Sequence, residues 1–211
     1  MKEINGLYLV INPKQAEGEL LEKLRKALQK GLGAVQLYNG WPQAFTHNDK
    51  LQLIKKIHAV CQAFNTPFFL NNEWELLKEV RAEGVHFDAL PAGWPQQKKE
   101  LGFDMITGLT LTNDLSVLDK LDALEIDYLS FCAMFPSASV GDCEIVDPKN
   151  VALTLKNVDL PVFVSGGVTP ENIAVFETLP ISGVAVISGI MNNSAPDEAV
   201  TAYKKALNQL T

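Results

Sequence analysis

Leu160-Pro161-Val162-Phe163-Val164-Ser165-Gly166-Gly167-Val168-Thr169-Pro170-Glu171-Asn172-Ile173 and, a short amphipathic segment later, Ser182-Gly183-Val184-Ala185-Val186-Ile187-Ser188-Gly189-Ile190 decide the fold of this chain. Two β-rich apolar runs, Val162–Val164 and Val184–Ile187, each end in small residues, and a helix-start signal follows the first. The order is strand, glycine turn, helix, strand, glycine turn. Val184-Ala185-Val186-Ile187 has no polar alternation, which suits a strand covered on both faces in a parallel sheet. Ser165-Gly166-Gly167 and Ser188-Gly189 then stand at the carboxyl ends of neighbouring strands. Glycine lets backbone N–H groups approach an anion, and a helix start beside them favours negative charge. In an eight-stranded α/β barrel, the loops after strands seven and eight are the usual phosphate site.

The same alternation runs through the rest of the chain. Leu7–Ile11 reads as strand one, and Leu20, Leu21, Leu24, Ala27 and Leu28 recur at helical spacing before Gly31 and Gly33. Ala34–Tyr38 reads as strand two, a helix carries Leu51, Ile54, Ile57, Val60, Cys61 and Phe64, and Pro67–Leu70 reads as strand three. Leu76, Leu77 and Val80 predict a helix before a short strand Val85–Phe87; Ala89–Pro95 reads as loop and Gln96–Leu101 as a short helix. Met105–Leu109 is strand five, and Leu115, Leu118, Leu121 and Leu124 predict a helix capped near Asn113 or Asp114. Tyr128–Phe131 is strand six, and the long loop from Cys132 to Asp147 is of the kind that carries function. Helices with Val151, Leu153 and Leu155, and from Pro196 through Leu210, complete the pattern. A single (β/α)8 barrel domain over residues 1–211 accounts for this order. A doubly wound open sheet would put its glycine-rich turn near strand one, where Ile11-Asn12-Pro13-Lys14 is not one.

Composition narrows the function classes. The 211 residues are 47% hydrophobic and 20% charged, ordinary for one soluble globular domain. A formal net charge of −7, without a basic run, argues against nucleic acid and anionic membrane as partners. No apolar run reaches a membrane span and the first residues lack a signal-peptide apolar region, so a cytoplasmic location is expected. Cys61, Cys132 and Cys143 share no Cys-x-x-Cys spacing, which points away from zinc and from a disulfide framework. His86, at a strand end, is a candidate general base, with Cys132 a weaker one; His47 reads as a loop residue and His58 as a helix-surface residue. Gln36 and Asn71 end strands at the mouth and need polar partners, either a ligand or each other. Trp41 and Trp94 read as surface-loop residues pinned by aromatic packing.

Taken in order, Leu7-Tyr8-Leu9-Val10, Gly33-Ala34-Val35-Gln36-Leu37, Asn71, Gly84-Val85-His86, Gly108-Leu109-Thr110, Asp127-Tyr128, Phe135-Pro136-Ser137, Ser165-Gly166-Gly167-Val168 and Gly183-Val184-Ala185-Val186-Ile187-Ser188 make a pattern that spans nearly the whole chain. It resembles the thiamine phosphate synthase and thiazole tautomerase family. The resemblance implies a barrel in which Ser165, Gly166, Gly167, Ile187 and Ser188 hold the phosphate of a thiazole phosphate, with Gln36, Tyr38, Asn71, Thr110, Ser137 and Ser139 lining the substrate site. It also implies a homodimer. Synthases join that thiazole to a pyrimidine pyrophosphate with magnesium; tautomerases isomerise its carboxylated precursor without a cofactor.

The chain departs from the synthase pattern where pyrophosphate would sit. Synthases carry Gln-x-Arg-x-Lys on strand two, against Gln36-Leu37-Tyr38-Asn39-Gly40 here, and Asn-Asp after strand three, against Asn71-Asn72. Asp88 stands in for a later aspartate, so Asp88 and Asn72 are the metal candidates if the chain is a synthase. A Thr-Lys pair after strand six is replaced by Ser137-Ala138-Ser139-Val140, and the histidine of tautomerases by Phe131-Cys132-Ala133-Met134. Losing those charges weakens leaving-group stabilisation, which is largely electrostatic. The sequence therefore favours tautomerase-like proton transfer on a phosphorylated heterocycle, with His86 as base. Synthase activity is the alternative, and a non-catalytic thiazole or thiamine phosphate binder a second one.

Overall fold

The computed structural model describes residues 4–137 and 144–210. Eight parallel strands close into one barrel in sequence order: β1 (Gly6–Ile11), β2 (Ala34–Leu37), β3 (Phe68–Asn71), β4 (Gly84–Phe87), β5 (Ile106–Leu111), β6 (Tyr128–Phe131), β7 (Val162–Ser165) and β8 (Gly183–Val186). β1 pairs with both β2 and β8, which leaves no free sheet edge. The helices are α1 (Glu17–Leu28), α2 (His47–Ala63), α3 (Trp94–Leu101), α4 (Pro148–Asn157), α5 (Ser188–Met191) and α6 (Pro196–Leu207). None among the described residues is long and apolar enough to cross a membrane.

Strand alternation sorts the core into two clusters. Leu7, Leu9, Ile11, Val35, Leu37 and their equivalents face the helices. Ile4, Tyr8, Val10, Ala34, Phe69, Ile106, Tyr128, Phe163 and Ala185 fill the barrel interior. Tyr8, Phe69, Tyr128 and Phe163 pack ring on ring at centroid distances of 5.5–6.1 Å. With the interior packed, the ligand-accessible part of the barrel is its upper layer, where the strands end.

Three expected helices are shorter than the sequence suggested. Leu115, Leu118, Leu121 and Leu124 recur every third residue, the period of a 3₁₀ rather than an α helix, and the segment forms a 3₁₀ turn over Leu118–Lys120. Its start is spent on local turns, with Asp114 N–H donating to Thr112 Oγ1 and Ser116 N–H to Asp114 Oδ1. Between β3 and β4 only a 3₁₀ turn, Trp74–Lys78, fits. After β7 the helix-start signal is real but short: Asn172 Oδ1 accepts from Thr169 N–H, and the turn over Ile173–Phe176 is 3₁₀.

Two aromatic assignments are also corrected. His58 is buried, not on the surface: it stacks on Phe68, with its Nε2 3.3 Å from Glu83 Oε1. Glu83 also accepts from Phe68 N–H; burial pushes its carboxyl up, but these bonds outweigh that and hold it below the usual range. Trp94 is fully buried at the start of α3, edge-on to Phe87 and Trp74, because the Gly93 backbone turns left-handed and drives the indole inward. Cys61 lies in the core as expected, and burial pushes its thiol up out of the reactive range.

Candidate active site

The turns after β7 and β8 form the first half of the site. Gly166 and Gly167 have φ of +83° and +68°, a left-handed pair that residues with a Cβ adopt at a cost. Their carbonyls are tied into the fold: Gly166 O accepts from Phe135 N–H and Gly167 O from the Asn172 side-chain amide, each at 2.9 Å. Their N–H groups meet no acceptor among the described residues. Consecutive unengaged amides of this kind suit an anion. Ser165 Oγ donates to Phe131 O at 3.0 Å, which stitches the turn to the end of β6 and leaves the oxygen's lone pairs available.

On the β8 side, Ile187 leads into the single turn of α5, which begins at Ser188. Tyr203 of α6 rises beneath both turns and donates to Val168 O at 2.9 Å. A Cβ on Gly189 would lie 2.1 Å from that hydroxyl, so glycine there is what admits the tyrosine.

Across the barrel floor runs a chain of side chains. Tyr8 O–H donates to Gln36 Oε1 at 3.0 Å, and the Tyr8 and Tyr128 hydroxyls are 2.9 Å apart. Tyr128 Oη is 3.0 Å from His86 Nδ1, and His86 Nε2 is 2.8 Å from Thr110 Oγ1. Gln36 thus finds its partner in the barrel, and both ring nitrogens of His86 are engaged. Burial pushes His86 down to about 4, against a smaller opposing pull from the Asp88 charge, and pushes both phenols up. The imidazole is neutral at pH 7, and a ring so engaged is a poor acceptor of a substrate proton.

A pH dependence follows. Below about 6.5 the unfolded chain protonates His86 while the folded chain does not, so stability complete above that pH is lost as the pH falls toward 4. Wild type is expected to lose on the order of 1 kcal/mol more than His86→Gln for each pH unit crossed in this window, measured by urea denaturation.

Asn71, Asn72 and Asp88 close on one another at the ends of β3 and β4. Asp88 Oδ2 accepts from Asn72 Nδ2 at 2.8 Å and Asn71 Nδ2 at 3.3 Å, while Asn72 Oδ1 accepts from Asp88 N–H at 2.9 Å. These oxygens are spent within the loop pair. No group of three or more His, Cys, Asp or Glu side chains able to hold a metal occurs among the described residues. Asp88 Oδ1 takes no part in these bonds, and since magnesium is held by one or two carboxylates together with substrate phosphates, Asp88 is the residue that would hold one here.

Tyr38 is 41% exposed, its ring lying over Gly40 so closely that a Cβ there would sit 2.7 Å from it. Beside it, Lys50 Nζ bonds Glu73 Oε1 at 2.6 Å and lies over the Trp41 ring, whose N–H also donates to Glu73. Trp41 is thus pinned as expected, by charge as well as by Phe45.

After β6, Cys132 is half-buried, and Ser137 Oγ is buried with no partner among the described residues. Ser139 and Cys143 lie outside the described residues. Tyr8 and Tyr128 are the site residues that sequence reasoning passed over. The signal was available: a phenol in a strand covered on both faces must find a hydrogen-bond partner.

Comparison with known proteins identifies the family. The family model for thiamine monophosphate synthase matches residues 7–190. A thiamine-phosphate synthase of Methanobrevibacter smithii is 28% identical over 191 residues, covering 90% of each chain. Among solved structures, thiamine phosphate pyrophosphorylase from Pyrococcus furiosus superposes with a TM-score of 0.81 at 20% identity, over 99% of this chain and 98% of that one. A structure described as native KDPGal, at TM-score 0.72 and 17% identity over 100% of this chain and 98% of that one, shares the fold. The chain belongs to the thiamine monophosphate synthase family, a family of enzymes of thiamine biosynthesis.

Proposed function

We propose that this chain holds a thiazole phosphate on the turns after β7 and β8 and acts as a thiamine phosphate synthase, joining that thiazole to a pyrimidine whose pyrophosphate leaves. The observation that carries the reading is the Ser165-Gly166-Gly167 turn, with the glycine carbonyls tied into the fold and the glycine N–H groups unengaged among the described residues. The named relatives support coupling over tautomerisation, and the engaged ring of His86 removes the base on which tautomerisation rested. Within this reading, Ser188, Ile187, Thr110 and Ser137 contact substrate, and Asn71 and Asn72 fix Asp88 at the mouth, where it would hold magnesium against the pyrophosphate.

One observation favours a second reading, a phosphate-ligand binder without coupling. Tyr38 and Gly40 stand where synthases carry arginine and lysine, and Asn72 where they carry aspartate. Each missing donor is worth about a hundred- to a thousandfold in rate. The test is release of pyrophosphate on mixing thiazole phosphate with the pyrimidine pyrophosphate. Slow, magnesium-dependent turnover is the expected result; no turnover with retained thiazole phosphate binding selects the binder.

A paired substitution sharpens this. Gly40→Lys alone forces a side chain into the Tyr38 ring, whereas Tyr38→Arg with Gly40→Lys removes that ring and restores both cations. The double variant is expected to raise coupling by about a hundredfold, and the single variant to lose stability without gaining rate.

A further inference from the structure

The hydrogens of the barrel-floor chain can be counted. Gln36, Tyr8, Tyr128, His86 and Thr110 come from β2, β1, β6, β4 and β5, linked at 3.0, 2.9, 3.0 and 2.8 Å. Tyr8, Tyr128, Gln36 and His86 are buried, each 6% exposed or less. Each hydroxyl has one hydrogen, and a neutral imidazole has one hydrogen for two nitrogens. With a single hydrogen available per link, every bond must run the same way along the chain.

Since Tyr8 O–H donates to Gln36 Oε1, Tyr8 must accept from Tyr128, and Tyr128 must accept from His86 Nδ1–H. His86 Nε2 is then bare and accepts from Thr110 O–H. Thr110 has only lone pairs left for the mouth, while the Gln36 side-chain nitrogen has hydrogens. The reverse arrangement, with the Gln36 amide turned over, has the same number of hydrogens and the opposite polarity at both ends.

We infer that Tyr8 and Tyr128 are positioning residues that couple Gln36 to Thr110, so that one end of the barrel floor offers a donor whenever the other offers an acceptor. The chain thereby selects a ligand edge that carries one acceptor and one donor over an edge that carries two of either kind. The inference deepens the proposed function at the same mouth, but its test reads the unliganded protein and stands apart from turnover.

The experiment is nitrogen NMR of the full chain labelled with 15N-histidine, where protonated and bare ring nitrogens are well separated. The His86 signals are identified by their loss in His86→Gln. Wild type is expected to show His86 as the Nδ1–H form alone. In Tyr8→Phe the Tyr128 hydrogen has no acceptor but His86 Nδ1, so the ring changes to the Nε2–H form. Gln36→Met removes the terminal acceptor, reverses every bond and gives the same change, which keeps the test available if Tyr8→Phe does not fold. An unchanged tautomer in the folded variants overturns the coupling.

Discussion

Gly108→Ala is expected to be strongly destabilising. The added methyl would lie 2.1 Å from the ring of Tyr128 and 2.5 Å from His86 Nδ1, inside the barrel. Neither neighbour is a flexible side-chain end: Tyr128 is packed edge-on to Phe163 and bonded to Tyr8, and His86 is bonded on both sides. Overpacking a core costs roughly 1–3 kcal/mol and occasionally more. Here it also breaks links of a buried hydrogen-bond chain, each worth about 1–3 kcal/mol when one partner is left unpaired. A total of about 3–5 kcal/mol, or roughly 6–20 °C in Tm for a domain of this size, is expected by thermal denaturation. A shift below about 2 °C would mean that the barrel floor yields where the structure shows it packed.

Gly167→Ala is expected to remove phosphate binding with a smaller loss of stability. Its φ of +68° costs a residue with a Cβ roughly 1–2 kcal/mol, and the methyl would meet the Phe135 carbonyl oxygen at 2.7 Å and its Cβ at 2.8 Å. The turn then has to move away from the segment after β6, and with it the two amide groups that meet no acceptor among the described residues. Hydrogen bonds to a charged phosphate are worth about 1.5–3 kcal/mol each, so losing one weakens affinity by roughly ten- to a hundredfold. Calorimetric titration with thiazole phosphate, set beside a denaturation curve of the same variant, separates the two effects. Lost stability with unchanged affinity would place the phosphate elsewhere.

Much of this was legible in the sequence, for reasons that differ by element. Strands buried on both faces read as unbroken apolar runs, so Val162–Val164 and Val184–Ile187 marked themselves, and eight such runs with helices between them left a closed barrel as the consistent topology. The Gly166-Gly167 turn was legible because only glycine takes those φ values readily. The leucines from Leu115 to Leu124 misled because a repeat of three resembles one of 3.6 over a short stretch. His58 and Trp94 misled because neighbouring charges and glycines resemble a surface until the chain closes over them.

At the site, the ends of the strands were legible and their partners were not. Gln36, Asn71 and His86 were placed correctly at the strand ends, but whether a polar group there bonds a ligand or another side chain depends on residues far away in sequence, such as Tyr8 and Tyr128. His86 reads as a base by position alone. Only the contacts show its ring nitrogens already engaged, and only then does proton transfer lose its motive and coupling gain by comparison.

Calorimetric titration of the wild-type protein with thiazole phosphate, with and without magnesium, tests the central claim most directly. One-to-one binding that magnesium leaves unchanged, and that Gly167→Ala weakens at least about tenfold, is the predicted result. An affinity that appears only with magnesium would contradict a phosphate held by the backbone amides of the β7 turn. No binding under either condition would contradict the phosphate site itself.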